Sequence, residues 1–371
     1  MTKVCHFSSV HRADDVRVFH KECTSLAEAG FKITLIACKG RVSGPCEVQV
    51  VTLPEMGSRI RRMLVRSYLA YRSARNILAD VYHFHDPELL PYGLLLKVRT
   101  GARVVYDSHE CYPEDIRTKE WLPVWLRGAV SWAFKLLEDF VSRRLDLVVA
   151  ATPHIEERFK GIARSTLTIN NYPRLKEFDG AAGDLFGVRD GVCYVGSISI
   201  VRGFMPFLDS LDKVPQDVAA YVAGPFSGPE VERLARQHRN WSRVTYFGTV
   251  ARDEVAKIYN RSFAGIVNFL PAPNHLFSQP NKLFEYMAAG IPVICSNFDL
   301  WRDIVDVGGC GICVDPASAD EIAEAINRLL FDVGLREKMA FQGRTAITTK
   351  FSWEFEAEKL VDAYRALCEQ A

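Results

Sequence analysis

The chain has 371 residues, 48% hydrophobic and 25% charged, the balance of a soluble globular protein long enough for two or three domains. Its 46 basic and 45 acidic residues nearly cancel, so overall charge makes no case for nucleic acid as a partner. The apolar start from Val4 to Val10 is too short, and too broken by His6 and two serines, for a signal peptide. No run reaches the roughly 18 apolar residues of a spanning helix, so a cytoplasmic location is expected.

Short apolar runs alternate with helical patterns from the first residues onward. Strands are expected at Lys3–Val10, Lys32–Cys38, Val48–Leu53, Val81–Phe84, Arg103–Asp107 and Leu145–Ala151. Between them, Val16–Ala29, Arg59–Leu78, Glu88–Val98 and Arg127–Arg143 read as helices. The alternation breaks at Asn171-Tyr-Pro173 and the polar stretch Lys176–Gly191, then restarts with strands at Val192–Val195, Ala219–Ala223, Val244–Phe247, Gly265–Leu270 and Pro292–Cys295. This pattern predicts two Rossmann-like α/β halves with parallel sheets. No Gly-x-Gly-x-x-Gly follows the first strand of either half, which argues against a dinucleotide oxidoreductase.

The ten cysteines do not make a metal or redox protein. Cys5, Cys38, Cys193 and Cys295 lie in apolar runs, where cysteine acts as a small hydrophobe. Cys310-Gly-Ile-Cys313 has neither a second Cys pair nor a nearby His pair to complete a zinc site.

Ligands of open α/β sheets gather at the carboxyl ends of the strands. In the first half that edge offers His11-Arg-Ala-Asp-Asp-Val-Arg17, His83-Phe-His-Asp-Pro87 and Asp107-Ser-His-Glu110. The imidazoles of His83 and His85 are expected to face opposite ways, with His85, nearest the strand exit, the functional one. Asp15 and Arg17 read equally well as a surface ion pair or as part of a site. In the second half, Gly196-Ser-Ile-Ser-Ile-Val-Arg-Gly203 follows a strand and supplies Arg202 beside a helix start, and Gly248 follows the next-but-one strand.

Most informative is Ser278 to Ser296, read as a helix capped by Ser278, with Pro280 in its first turn and Gly290 at its end, followed by a buried strand. Lys282 and Glu285 are three residues apart and share a face near the helix start. A cation beside free N–H groups suits a phosphate, and a carboxylate one turn on suits a pair of sugar hydroxyls. The combination points to a nucleotide diphosphate.

The second half, through Tyr194-Val-Gly-Ser…Arg-Gly203, Tyr246-Phe-Gly-Thr249 and Pro280-Asn-Lys-Leu-Phe-Glu-Tyr-Met-Ala-Ala-Gly-Ile-Pro292, resembles the family 4 glycosyltransferases. Ser9-Val-His11, Asp15-Val-Arg-Val-Phe-His-Lys-Glu22 and Asp107-Ser-His-Glu110 are similar to a bacterial surface-polysaccharide branch, and Phe351-Ser-Trp-Glu354 resembles the family's final helix. The resemblance implies a GT-B fold, two Rossmann-like domains facing across a cleft. Residues 1–172 would form an acceptor domain and 173–352 a nucleotide-sugar donor domain, with 353–371 a helix returning to the first. It implies retention of configuration, with a nucleotide-diphosphate sugar as co-substrate and neither cofactor nor metal. It puts Arg202 and Lys282 on the diphosphate, Glu285 on the ribose and His85 at the reaction centre. Gly196, Ser197, Gly248, Ser278 and Asn281 complete the donor set, and His11, Asp15, Arg17 and His109 are the expected acceptor contacts. Two positions depart from the family: Phe277 stands where a glutamate normally contacts the donor sugar, and Ser197 where an arginine usually follows the loop glycine. The acceptor implied is a saccharide or a polyprenyl-linked saccharide. The runner-up readings are a nucleotide-sugar 2-epimerase of the same fold and a non-catalytic scaffold.

From Met56 to Ala79 there are arginines at 59, 61, 62, 66, 72 and 75 and no acidic residue. Ile60, Leu64, Tyr68, Tyr71 and Leu78 form an apolar stripe expected to pack on the sheet, leaving Arg59, Arg62 and Arg66 toward an anionic membrane surface. Trp121, Trp125 and Trp132 could sit at its headgroup boundary. The expected location is therefore peripheral, at the inner face of the cell membrane.

Overall fold

The structure is a computed structural model that describes residues 1–40, 48–58, 61–119, 122–178 and 189–369. The chain forms two compact units, residues 1–171 with 353–371, and residues 172–352. Each is a parallel sheet with helices on both faces.

In the first unit the strands are β1 (Lys3–Arg12), β2 (Lys32–Cys38), β3 (Gln49–Leu53), β4 (Val81–Phe84), β5 (Arg103–Ser108), β6 (Leu147–Ala150) and β7 (Thr166–Thr168), in the order β3-β2-β1-β4-β5-β6-β7. In the second they are β8 (Gly191–Val195), β9 (Ala219–Ala223), β10 (Val244–Tyr246), β11 (Ser262–Val267), β12 (Val293–Ser296) and β13 (Gly311–Val314), in the order β10-β9-β8-β11-β12-β13. Strand order reverses between β1 and β4, and again between β8 and β11. Such switch points open a crevice beyond the carboxyl ends of the strands.

The central strands β4 and β8 are buried along their whole length, which explains their continuous apolar runs. Alternation along them feeds two cores per sheet. Cys5, Phe7, Tyr82 and Phe84 pack on one face of the first sheet, and Val4 and Val81 pack on the other. The helix Trp353–Glu369 covers that second face through Trp353, Leu360 and Tyr364, and the Trp353 indole N–H donates to Ser25 Oγ at 2.9 Å. The C-terminal helix thus belongs to the first unit.

Two strands were not expected from the sequence. β7 is only three residues long, and β13 lies across the Cys-Gly-Ile-Cys segment, where Cys313 Sγ stands 3.6 Å from Cys295 Sγ on the neighbouring strand. The helix expected from Ser278 begins later, at Asn281, with Pro280 at the capping position. Ser278 is not the cap. The preceding turn Pro273–Leu276 takes its hydroxyl, which donates to the His275 carbonyl at 2.9 Å. Gly290 ends the helix in the left-handed region, as expected.

Candidate functional site

In the second unit the β8/β11 switch point gathers the expected donor residues. The loop after β8 is pinned twice at its end. The Tyr194 hydroxyl donates to the Arg202 carbonyl at 2.9 Å, and Asn268 Nδ2, just after β11, donates to the Gly203 carbonyl at 2.7 Å. Gly203 has φ 72°, and a Cβ there would collide with the Asn268 carbonyl oxygen, so only glycine holds this turn. Arg202 is thereby set over the Phe269 ring, 5.1 Å from its centroid.

Lys282, on the helix Asn281–Ala288, reaches the same place from the other side. Its Nζ lies 4.3 Å from the Tyr194 ring centroid and 5.0 Å from that of Phe269. It is 7% exposed, and its Nζ has no hydrogen-bond partner among the described residues. A Cβ on Gly196 would sit 3.8 Å from that nitrogen, so the bare backbone of Gly196 leaves the ammonium an open side. Burial first, and then the Arg202 charge, lower the Lys282 pKa to about 7. A buried cation without a counter-ion is costly, and an arriving anion removes that cost. The first turn of the helix also leaves N–H groups without an intrahelical acceptor.

Glu285 lies one turn on. Its Oε1 accepts from Arg252 at 2.7 Å and its Oε2 from the Tyr259 hydroxyl at 2.9 Å. Both partners come from the helix Arg252–Arg261, and neither was foreseen from the sequence. Asn281 is exposed at the helix start, while Ser197, Gly248 and Ser278 are half-buried in the loops around it. Phe277, at the departed glutamate position, is 48% exposed.

In the first unit the β1/β4 switch point holds a network centred on Asp107. Its carboxylate accepts from Arg17 Nε at 3.1 Å and Nη2 at 3.0 Å, from His85 Nδ1 at 3.1 Å and from His109 Nε2 at 2.8 Å. Burial alone would raise the Asp107 pKa, but Arg17 and His109 hold it well below the usual carboxylate range. Asp15 and Arg17 do not form the surface ion pair. Asp15 caps the helix Val16–Cys23 by accepting from the backbone N–H groups of Arg17 and Val18, both at 2.9 Å, while the Arg17 side chain is buried against Asp107. His20 N bonds back to Asp15 O at 3.2 Å, the i→i+5 pattern of a π turn, a form frequent at functional sites.

His85 is fully buried, and both ring nitrogens are engaged: Nε2 lies 3.0 Å from His6 Nδ1 and Nδ1 bonds Asp107. Burial lowers its pKa against the pull of Asp107. The expectation that His83 and His85 face opposite ways is wrong. Positions i and i+2 of a strand share a face, and the two rings stack with centroids 4.5 Å apart. The accessible part of the network is instead His11 and His109, whose ring centroids are 4.9 Å apart. His11 is held by Asp15 at 3.0 Å and faces Asp86 at 3.7 Å. Burial would lower its pKa, but these carboxylates raise it. His6 was missed because it lies inside an apolar run, and Glu22 and Asp86, though within the quoted segments, were given no role because only the fold shows where they point.

The basic helix is turned differently from the expectation. Arg59, Ile60 and Trp121 lie outside the described residues. Arg66, expected to face outward, is 8% exposed, with Nη1 3.2 Å from the Ser9 carbonyl and 3.1 Å from Cys38 Sγ. Leu64 and Tyr68, expected inside, are 66% and 50% exposed. The π-type turn Arg62–Arg66 holds more residues than an α turn and shifts the helix phase, so Ser67, Ala70, Tyr71 and Ala74 take the inner face. Arg62 is half-buried, 3.8 Å from Glu88.

Comparison with known proteins agrees with this architecture. Residues 16–169 match the family described as glycosyl transferase 4-like domain, and residues 189–332 match glycosyl transferases group 1. A glycosyltransferase of Methanocaldococcus jannaschii is 26% identical over 189 residues, covering 49% of this chain and 47% of that protein. Glycogen synthase of Mycobacterium tuberculosis is 22% identical over 253 residues, 65% of this chain and 59% of the synthase. The chain thus spans about half the length of the first of these relatives and under two thirds of the second. Among solved structures, sucrose-phosphate synthase of Thermosynechococcus elongatus aligns over 100% of both chains with TM-score 0.79 at 19% identity. HepE of Anabaena, in complex with UDP, aligns over 98% of this chain and 100% of its own with TM-score 0.72 at 14% identity. The two parallel sheets are those of the GT-B fold, and the chain belongs to the group 1 glycosyltransferases with a family 4-like N-terminal domain.

Proposed function

We propose that the protein is a retaining, hexosyl-type glycosyltransferase. It moves a sugar from a nucleotide-diphosphate sugar to a saccharide or polyprenyl-linked saccharide in surface polysaccharide biosynthesis. One observation carries this reading: the buried Lys282 ammonium, without a hydrogen-bond partner among the described residues and beside Arg202 at the β8/β11 switch point. Two cations converging where a sheet binds its ligand, above ring faces rather than carboxylates, fit a diphosphate. The complexes of HepE with UDP and with UDP-glucose support a donor of this class.

In this mechanism Arg202 and Lys282 stabilise the charge that develops on the departing phosphate, being fixed in place before the reaction begins. The leaving phosphate then helps take the proton of the acceptor hydroxyl, so no protein nucleophile is required. With two cations on the diphosphate, the transfer is assigned no metal there and no cofactor. Glu285 takes the ribose hydroxyls by giving up Arg252 or Tyr259. Ser197, Gly196, Gly248, Ser278 and Asn281 line the donor site, and backbone of the loop 274–278 reads the sugar in place of the glutamate replaced by Phe277. On the acceptor side His11 and His109 meet the saccharide, while Asp15, Arg17 and His85 hold them.

We place the protein at the inner face of the cell membrane. No described helix is long and apolar enough to cross a membrane. Trp125 is 80% and Trp132 63% exposed on the helix Val124–Ser142, and Leu64 and Tyr68 are exposed on the arginine-rich helix. Exposed aromatic and aliphatic side chains among arginines suit an anionic headgroup region.

The test is transfer from a panel of nucleotide sugars to lipid-linked and free saccharides, with product configuration read by NMR. Arg202→Ala and Lys282→Met should lower transfer at least a hundredfold while the protein stays folded. Normal turnover by both variants refutes the assignment. Isomerised donor without acceptor would instead favour the epimerase, and no nucleotide binding at all the scaffold.

A further inference from the structure

Beneath the Asp107 network, the first unit contains a set of ligating residues of which the transferase reading uses only His85. We propose that His6, Glu22, His83 and His85 bind one divalent first-row cation of the zinc type, as a structural centre of this unit. One ligand atom from each of the four lies within 4.8 Å of the others, and all four residues are buried.

The fold brings them together for a simple reason. In the β1/β4 register His6 stands directly opposite His83, and His85 follows on the same face of β4. Glu22 descends onto that face from the helix Val16–Cys23. The His6 and His83 ring centroids are 4.5 Å apart, and His85 Nδ1 is 4.0 Å from Glu22 Oε2.

The atoms left without partners are the ones a cation would need. His6 Nε2, His83 Nε2 and both carboxylate oxygens of Glu22 have no hydrogen-bond partner among the described residues. Arg17 Nε lies 3.0 Å from Glu22 Oε1 but gives its hydrogen bond to Asp107. Buried polar atoms in native proteins are nearly always satisfied, so four orphan atoms on three residues of one cluster call for a ligand. The opposite nitrogens are already held: His83 Nδ1 by the Tyr364 hydroxyl at 2.6 Å and His6 Nδ1 by His85 Nε2 at 3.0 Å. Imidazoles oriented through one nitrogen with the other left open are the pattern of metal ligands. His85 completes the set by releasing one of its two bonds.

The size of the cluster agrees. A tetrahedral zinc bound by nitrogen and oxygen keeps its ligands roughly 3.4 Å apart, so no pair has to close by more than about 1.4 Å through side-chain movement. Arg17 is shared between two carboxyl groups, 3.0 Å from Asp107 Oδ1 through Nη2 and 3.0 Å from Glu22 Oε1 through Nε. Imidazole and carboxylate ligands shielded from solvent suit zinc or a neighbouring first-row ion over magnesium or calcium. Of the ligand positions only 83 and 85 are close in sequence, and 6 and 22 lie on separate elements. Reasoning from cysteine pairs therefore passes over the set.

The experiment is metal analysis by plasma mass spectrometry of tag-free, full-length protein grown with added zinc and purified without chelator. About one zinc per chain is expected, falling at least fivefold in the His6→Gln/His83→Gln double variant and staying unchanged in His154→Ala. The last variant removes the half-buried trio Cys111, Glu114 and His154 as an alternative. If the double variant does not fold, cobalt substitution of the wild type decides. Visible d–d bands without a thiolate charge-transfer band support the His/Glu site. Less than about 0.2 cation per folded wild-type chain after zinc addition, full retention by the double variant, or a thiolate band would each overturn the proposal. Metal content does not depend on transferase activity, so failure of one reading leaves the other standing.

Discussion

Replacing Lys282 by methionine keeps its bulk and removes its charge, which separates what the residue does for folding from what it does for binding. Burial, with Arg202 second, lowers its pKa from 10.5 to about 7. The folded value lies below the unfolded one. Between about 7 and 10.5 the unfolded chain therefore binds the additional proton, and stability rises with pH; below about 7 both states carry it and the penalty is constant. The full penalty is about 5 kcal/mol, of which about 4 kcal/mol remains near pH 7.5. Lys282→Met should thus be more stable than the wild type by several kcal/mol at neutral pH, with the gap closing toward pH 10. Urea unfolding of both proteins across this pH range measures it. Binding of a nucleotide diphosphate restores the proton to Lys282, so above about pH 7 binding takes up a proton. Calorimetry in two buffers of different ionisation enthalpy detects that uptake, and the variant should lack it while binding at least tenfold more weakly. A variant less stable than the wild type at unchanged denaturant slope, or wild-type binding without proton uptake, refutes the reasoning.

Gly203→Ala forces a side chain into the left-handed region against the Asn268 carbonyl and should cost about 3 kcal/mol or more in urea unfolding; a loss under about 1 kcal/mol contradicts the geometry. Glu285→Ala should weaken nucleotide-sugar binding by about 1.5–3 kcal/mol, the worth of hydrogen bonds to a charged group, and equal affinity by calorimetry would remove it from the ribose site. Arg66→Glu should destabilise the first unit by about 3 kcal/mol, because it buries a carboxylate beside the Ser9 carbonyl, and an unchanged melting temperature would be the contrary result. Trp125→Ser with Trp132→Ser, both at exposed positions, should leave stability within about 0.5 kcal/mol yet lower binding to anionic liposomes at least tenfold in flotation. Undiminished binding would mean that this helix is not the membrane face.

What the sequence made legible follows from how each feature is encoded. Buried central strands such as β4 and β8 are written as short apolar runs with helical patterns between them, so two parallel sheets could be read directly. Lys282 and Glu285 share a helix, and the three-residue spacing was enough to put them on one face. Partners that depend on tertiary folding were not readable. Arg252 and Tyr259 stand 33 and 26 residues from Glu285, and Asn268 stands 65 from Gly203. The outward face of the arginine-rich helix was misjudged because regular α periodicity was assumed across a turn that is π-type. His83 and His85 were misjudged on strand parity, which the period of two settles without any structure.

The two switch points show why topology located the site while its chemistry had to come from individual residues. Both sheets reverse strand order beside their first strand, and both place charged side chains there under cover. In the first unit the buried groups are Asp107, Glu22 and Asp86, offset by Arg17 and surrounded by imidazoles. In the second they are Lys282 with the half-buried Arg202, set over the rings of Tyr194 and Phe269. On the readings proposed above, the same kind of crevice serves opposite partners: carboxyl groups and imidazoles for a cation or a sugar's hydroxyls, and two cations for phosphate. A parallel sheet supplies the location and no charge of its own, so reversing the sign takes only a few residues at the strand ends. Lys282→Glu with Arg202→Glu, made together, should accordingly leave the second sheet intact by circular dichroism and abolish nucleotide binding. Retained nucleotide affinity in that folded double variant would show that the phosphate is held by backbone alone.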